Sequence, residues 1–93
     1  MYNENKLSVS FNLGGENLVD VNKNIEKVRL SKGITRKFVA KKCGKTQQWY
    51  WKVEKGLIIP DAVNLQLIAK ALEVDVKIFF ENKLNDTLNT KLA

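Results

Sequence analysis

Three glycines, Gly33, Gly44 and Gly56, each precede a side chain suited to start a helix, and together they divide the middle of the chain into short helical segments. A glycine just past a last turn closes a helix at low cost, and Thr or Asp before a first turn accepts an otherwise unpaired backbone N–H. The spacing predicts a first helix over about 22–32, ending at Gly33, and a second capped by Thr35 and ended by Gly44. A third runs from the Thr46 cap to Lys55, with Gly56 as its stop, and a fourth starts at Asp61 after Pro60. Asp75 caps a fifth that includes Ile78, Phe79 and Phe80. Apolar residues recur helically in these windows: Ile25 and Val28, then Val39, Ala40 and Cys43, then Val63, Leu65, Leu67, Ile68, Ala71 and Leu72. The chain has 93 residues, enough for one modest core, and the expected fold class is all-α with five helices.

The two ends read differently. Residues 7–13 alternate apolar and polar, the period of a half-buried strand, and Gly14-Gly15 supplies a tight turn. Leu18, Val19 and Val21 form the expected return strand, with Phe11 opposite Val19 and Val9 opposite Val21. An isolated hairpin is marginal in water, so this segment packs on the helical body, pairs with another subunit or stays a mobile arm. Leu84, Leu88 and Leu92 recur every fourth residue in a polar tail, which reads as a frayed helical extension or as disorder. The organisation is therefore an N-terminal arm or β-hairpin at 1–21, a helical domain at 22–82 and a C-terminal tail at 83–93.

Composition removes several classes of function. Cys43 is the single cysteine and histidine is absent, so an intrachain disulfide, a clustered-thiolate zinc site and the commonest general base are all missing. No catalytic residue, metal or cofactor is expected, and an enzyme is a distant reading. No stretch approaches a bilayer span and the N-terminus is unlike a signal peptide, which predicts a cytoplasmic protein without a membrane partner. The charge is segregated. Residues 21–55 hold eleven Lys or Arg against two Glu, a balance of +9 in a chain whose total is +6. A local field of this kind suits a polyanion, with nucleic acid the usual partner.

On a helical wheel at ~100° per residue the third helix separates into two arcs. Gln47, Gln48, Trp51, Lys52 and Lys55 share one side, whereas Tyr50, Val53 and, at the border, Trp49 share the other. The first arc is the one suited to a DNA groove. Gln donates and accepts together at an adenine edge, Lys reaches guanine or phosphate, and the Thr46 methyl can touch thymine. Tyr50 reads as core with its hydroxyl at the rim, and Trp51 either touches DNA or rests on a neighbouring helix or subunit. Leu57, Ile58 and Ile59 read as core under the fourth helix in preference to an interface patch.

The segment from Thr35 to Gly56 resembles, without a gap, the helix-turn-helix of the phage Cro and CI repressor family. Ala40 stands where two helices cross, Gly44 occupies the turn, and Val39, Cys43, Tyr50 and Val53 fall where the two helices are glued together. The likeness continues through Pro60-Asp61 and residues 68–74. It implies a five-helix, lambda-repressor-like DNA-binding domain with a base-reading third helix. Base contacts then fall to Thr46, Gln47, Gln48, Trp51 and Lys52, and phosphate contacts to Arg36, Lys37, Lys42, Lys45 and Lys55. The family's ion pair between the first and third helices maps onto Arg29 and Glu54. This chain departs from the pattern at Arg36, where relatives often carry Gln, at Lys45, at the aromatic run Trp49-Tyr50-Trp51 and at the apolar loop 57–59.

The resemblance implies a transcriptional regulator, a repressor in preference to an activator, binding double-stranded DNA as a homodimer. In relatives the dimer patch lies near the end of the fourth helix and the fifth, which here points to Val74, Val76, Ile78 and Phe79. The alternatives are an antitoxin-like or adaptor protein that engages a protein partner through residues 1–21 and autoregulates through DNA, and a nonspecific architectural DNA binder.

Overall fold

A computed structural model describes residues 19–82, and within them the chain is all helical. Four α-helices, α1 (Val21–Ser31), α2 (Arg36–Lys42), α3 (Gln47–Glu54) and α4 (Ala62–Leu72), are followed by a five-residue 3-10 helix, Val76–Phe80. The strand expected over 7–13 and the tail at 83–93 lie outside the described residues.

Each helix begins where a short polar side chain takes up a free N–H. Thr35 accepts from Phe38 N, Thr46 from Trp49 N and Asp61 from Asn64 N, at 3.1, 3.0 and 2.8 Å. Asp20 does the same for Lys23 N at 3.0 Å, and it corrects the expected return strand. With that cap in place Val21 is the first residue of α1, not a strand residue opposite Val9.

The fifth helix is also corrected. Asp75 caps this stretch as expected, its carboxylate accepting from Lys77 N at 2.9 Å, but residues 76–80 form a 3-10 helix, and Asn24 takes up free carbonyls at its C-terminal end. Its Nδ2 donates to Phe79 O at 2.8 Å and to Glu81 O at 3.2 Å. The chain winds more tightly instead, with Ile78 N bonded to Asp75 O at 3.0 Å. This winding carries both Ile78 and Phe79 into the core.

The core joins every element. Ile25 and Val28 of α1, Val39 and Ala40 of α2, Tyr50 and Val53 of α3, and Ile68, Ala69, Ala71 and Leu72 of α4 enclose Cys43, Ile78 and Phe79. α2 packs on α3 and α4, while α1 packs on α3 and the 3-10 helix. Two expectations about apolar surface change here. Phe79 is fully buried and Ile78 nearly so, which withdraws them from any dimer patch; Val74 and Val76 are half-buried against the core. Of the 57–59 run only Ile58 turns inward, its N–H bonded to Lys52 O at 3.3 Å and its carbonyl held by Asn22 Nδ2 at 3.0 Å. Leu57 and Ile59 are exposed at 65% and 76%, as is Val63 at 65%, so this loop and the start of α4 carry an apolar surface and not a core layer.

Candidate nucleic-acid interface

The turn between α2 and α3 sets the angle of the exposed helix. α2 ends with Gly44 N bonded to Lys41 O at 3.1 Å and Lys45 N bonded to Ala40 O at 3.0 Å. This paired closure requires a left-handed residue between the two helices, and Gly44 provides it at φ 68°. Thr46 then restarts the chain as α3. Its hydroxyl oxygen is occupied by Trp49 N, which leaves the methyl group of this residue for outward contact.

α3 is divided as its sequence spacing anticipates. Tyr50 and Val53 are fully buried and Trp49 is half-buried, whereas Gln47, Gln48 and Lys55 are exposed, Trp51 is 40% exposed and Lys52 is half-buried. Lys37 and Lys42 of α2 and Lys45 of the turn are exposed as well. Three of the lysines lie over aromatic rings: Lys42 Nζ is 5.5 Å from the Phe38 centroid, Lys45 Nζ 5.4 Å from Trp49, and Lys55 Nζ 5.8 Å from Trp51. Such contacts restrict where a long cationic side chain points. α3 and the turn before it thus combine two amides able to donate and accept with Lys45, Lys52 and Lys55.

Beneath this face is a knot of charge. Arg29 donates from Nε to Glu54 Oε2 at 2.6 Å and from Nη2 to Oε1 at 3.1 Å, a two-pronged pairing of α1 with the last residue of α3. Its Nη1 donates to Ile34 O at 2.8 Å. Arg36 adds a second guanidinium, with Nε donating to Glu54 Oε1 at 2.8 Å, and its Nη2 lies 3.6 Å from Glu26 Oε2. Sequence reasoning assigned Arg36 to phosphate and did not foresee this bond; an Arg three residues past Gly33, where a shorter amide is usual, was the available signal.

Burial pushes the Glu54 carboxyl up, but the hydrogen bonds from Arg29 and Arg36 outweigh it and hold the group below the usual carboxylate range. The Arg29 guanidinium is raised by its bond to Glu54. Tyr50 corrects an expectation. Its hydroxyl does not reach the rim but is buried beside Glu54, without a well-formed hydrogen bond to any described residue. Burial first, and then the neighbouring carboxylate, push this phenol far above its ordinary range.

Two further residues escaped the sequence reading. Asn22 Nδ2 donates to Val53 O at 2.7 Å as well as to Ile58 O, clamping the C-terminal end of α3 to α1. Asn24 does the same for the 3-10 helix. The signal was a pair of asparagines, poor helix formers, inside an otherwise regular helical window.

The helix-turn-helix family matches residues 25–79, more than half of the chain. This chain belongs to that family, in its XRE (Cro/CI) type. Members are DNA-binding transcriptional regulators. The helix-turn-helix protein is similar to the uncharacterized HTH-type transcriptional regulator YqaF of Bacillus subtilis, 35% identical over 63 residues that span 68% of this chain and 83% of YqaF. Among solved structures its fold is similar to the restriction-modification controller protein C.AhdI from Aeromonas hydrophila. That likeness has a TM-score of 0.63 at 24% identity and covers 67% of this chain and 94% of C.AhdI. It is also similar to the controller protein C.Esp1396I bound to a 19 base pair DNA duplex, with a TM-score of 0.59 and 29% identity over 78% of this chain and 91% of that one. No helix among the described residues is long and apolar enough to cross a membrane, and no cluster of metal-ligating side chains occurs among them.

Proposed function

We propose that this helix-turn-helix protein is a sequence-specific, double-stranded-DNA-binding transcriptional regulator that inserts α3 into the major groove. The observation that carries the reading is the division of α3: Tyr50, Val53 and Glu54 fix it from within, while Gln47 and Gln48 stand outside it. In this reading Thr46, Gln47, Gln48, Trp51 and Lys52 touch bases, and Arg36, Lys37, Lys42, Lys45 and Lys55 touch phosphates. The complex of C.Esp1396I with duplex DNA supports a DNA partner for a chain of this fold and similarity.

The regulator acts as a homodimer that represses by occupying an operator in the cytoplasm. One module of this size offers few base contacts, and two copies about one DNA turn apart double them. The exposed apolar residues Leu57, Ile59 and Val63 support a surface through which two copies meet. Selection of bound sites from random duplexes tests DNA binding, sequence preference and half-site spacing together. The expected result is an enriched inverted repeat whose halves are separated by roughly 34 Å along the axis. A recovered pool with no enrichment over the input would end the reading.

A further inference from the structure

The Arg36 guanidinium is divided between two carboxylates in very different settings. Towards the interior its Nε bonds Glu54 Oε1 at 2.8 Å, and the Glu54 side chain is wholly buried. Towards solvent its Nη2 lies 3.6 Å from Glu26 Oε2, with the Glu26 side chain 26% exposed and that of Arg36 33% exposed. The inner bond has the length of a charge-assisted hydrogen bond, but the outer contact is longer than that range and lies where water screens it. A guanidinium carries five N–H donors, and this arrangement engages Nε firmly and Nη2 weakly. Glu26 is also singular in charge. Residues 21–55 contain two acids, and with Glu54 buried Glu26 is the one accessible negative charge in the basic half of the sequence.

We propose that Glu26 is a positioning residue that competes with the DNA backbone for Arg36. In the free protein Glu26 lies against Nη2 of Arg36 as a loose ion pair. On binding, this nitrogen exchanges Glu26 for a phosphate oxygen while Nε stays on Glu54, so the inner bond keeps the side chain aimed during the exchange. The inference rests on the DNA-binding reading above and assigns part of its affinity to an acid that touches no DNA. Arg36 is then both a phosphate contact and a brace of α3, two tasks that a forked side chain can divide between its edge and its tip.

The test is a four-way comparison on the selected duplex: the unsubstituted protein, Glu26→Gln, Arg36→Gln and the double variant. Glu26→Gln is expected to bind about two- to fivefold tighter, the range of a released solvent-exposed ion pair. In the Arg36→Gln background the same change should have no effect, because the group that Glu26 restrains is gone. Arg36→Gln should also lower the slope of log affinity against log salt by about 0.9, the signature of one lost phosphate contact. Thermal melting of each variant checks folding, and Arg36→Met, which keeps the aliphatic stem without the charge, replaces Arg36→Gln as the background should the latter unfold. Equal tightening by Glu26→Gln in both backgrounds would show plain long-range repulsion and overturn the exchange, as would no tightening at all. Failure of the unsubstituted protein to bind any duplex removes the regulator reading, and this inference with it.

Discussion

In α1 the polar residues Asn22, Asn24 and Arg29 are buried, and all three give their donors to the protein itself, at the carbonyls of Val53, Ile58, Phe79, Glu81 and Ile34 and at the Glu54 carboxylate. In α3 the corresponding outward polar residues, Gln47 and Gln48, are exposed. Both helices are amphipathic, so apolar periodicity does not distinguish them. The difference lies in where hydrogen-bonding capacity goes: α1 uses it to tie distant stretches together, and α3 keeps it for something outside. The contrast shows how a small domain fixes the position of an exposed helix without a large core. Three side chains from α1 reach across it and fasten the end of α3 and the C-terminal turn, where apolar contact alone would leave both free to shift.

The largest expected effect comes from cutting the bond between the two helices. Glu54→Ala leaves Arg29 buried and without its carboxylate, and should cost about 3–5 kcal/mol in a urea or thermal unfolding experiment. A loss below about 1 kcal/mol would mean that the pair behaves as a surface one. The same carboxylate predicts a pH dependence. An unperturbed Glu titrates near 4.5, and Glu54 is held below that value in the folded chain. The folded state therefore binds this proton less readily than the unfolded state. The stability it contributes is present above about pH 4.5 and is lost as pH falls through the lower, folded value. Unfolding midpoints measured from neutral to acidic pH should fall across that window, and a flat profile would contradict the bonding described.

Smaller effects separate the two helices further. Asn24→Ala leaves the Phe79 and Glu81 carbonyls without their donor and should cost about 1–3 kcal/mol of stability, the penalty of an unpaired buried group. Its signature is early exchange of amides in the 3-10 helix. Gln47→Ala should do the reverse, leaving the melting temperature unchanged while flattening preference at one base pair by roughly 1–3 kcal/mol. Were Gln47→Ala to destabilise the fold and spare the base preference, the proposed division of labour between α1 and α3 would fail.

What the sequence disclosed follows from how local each signal is. The caps at Thr35, Thr46 and Asp61 and the turn at Gly44 act within a few residues, and each stands in the structure where its type and spacing put it. The two arcs of α3 depend on one period and were equally legible. The readings that needed correction depend on distant partners. Asn22 and Asn24 look like surface residues until the fold brings carbonyls 31 to 57 positions away to their amides. The expected fifth α-helix is a 3-10 helix whose end is tied to Asn24, and Phe79 and Ile78 face inward from it. Ile58 and Ile59 are identical in type, and the backbone of Ile58, bonded to Lys52 O and Asn22 Nδ2, is what distant contacts fix. The Arg36 bond to Glu54 joins residues 18 apart and depends on the crossing of α2 and α3, which no local pattern encodes.

Val19, Asp20, Glu81 and Asn82 line a single recess beside Asn24. The two ends of the described helical body therefore lie side by side at one doorway. A short peptide bridging that doorway would let the ring be reopened at another loop, giving a permuted chain with the same helices in a new order.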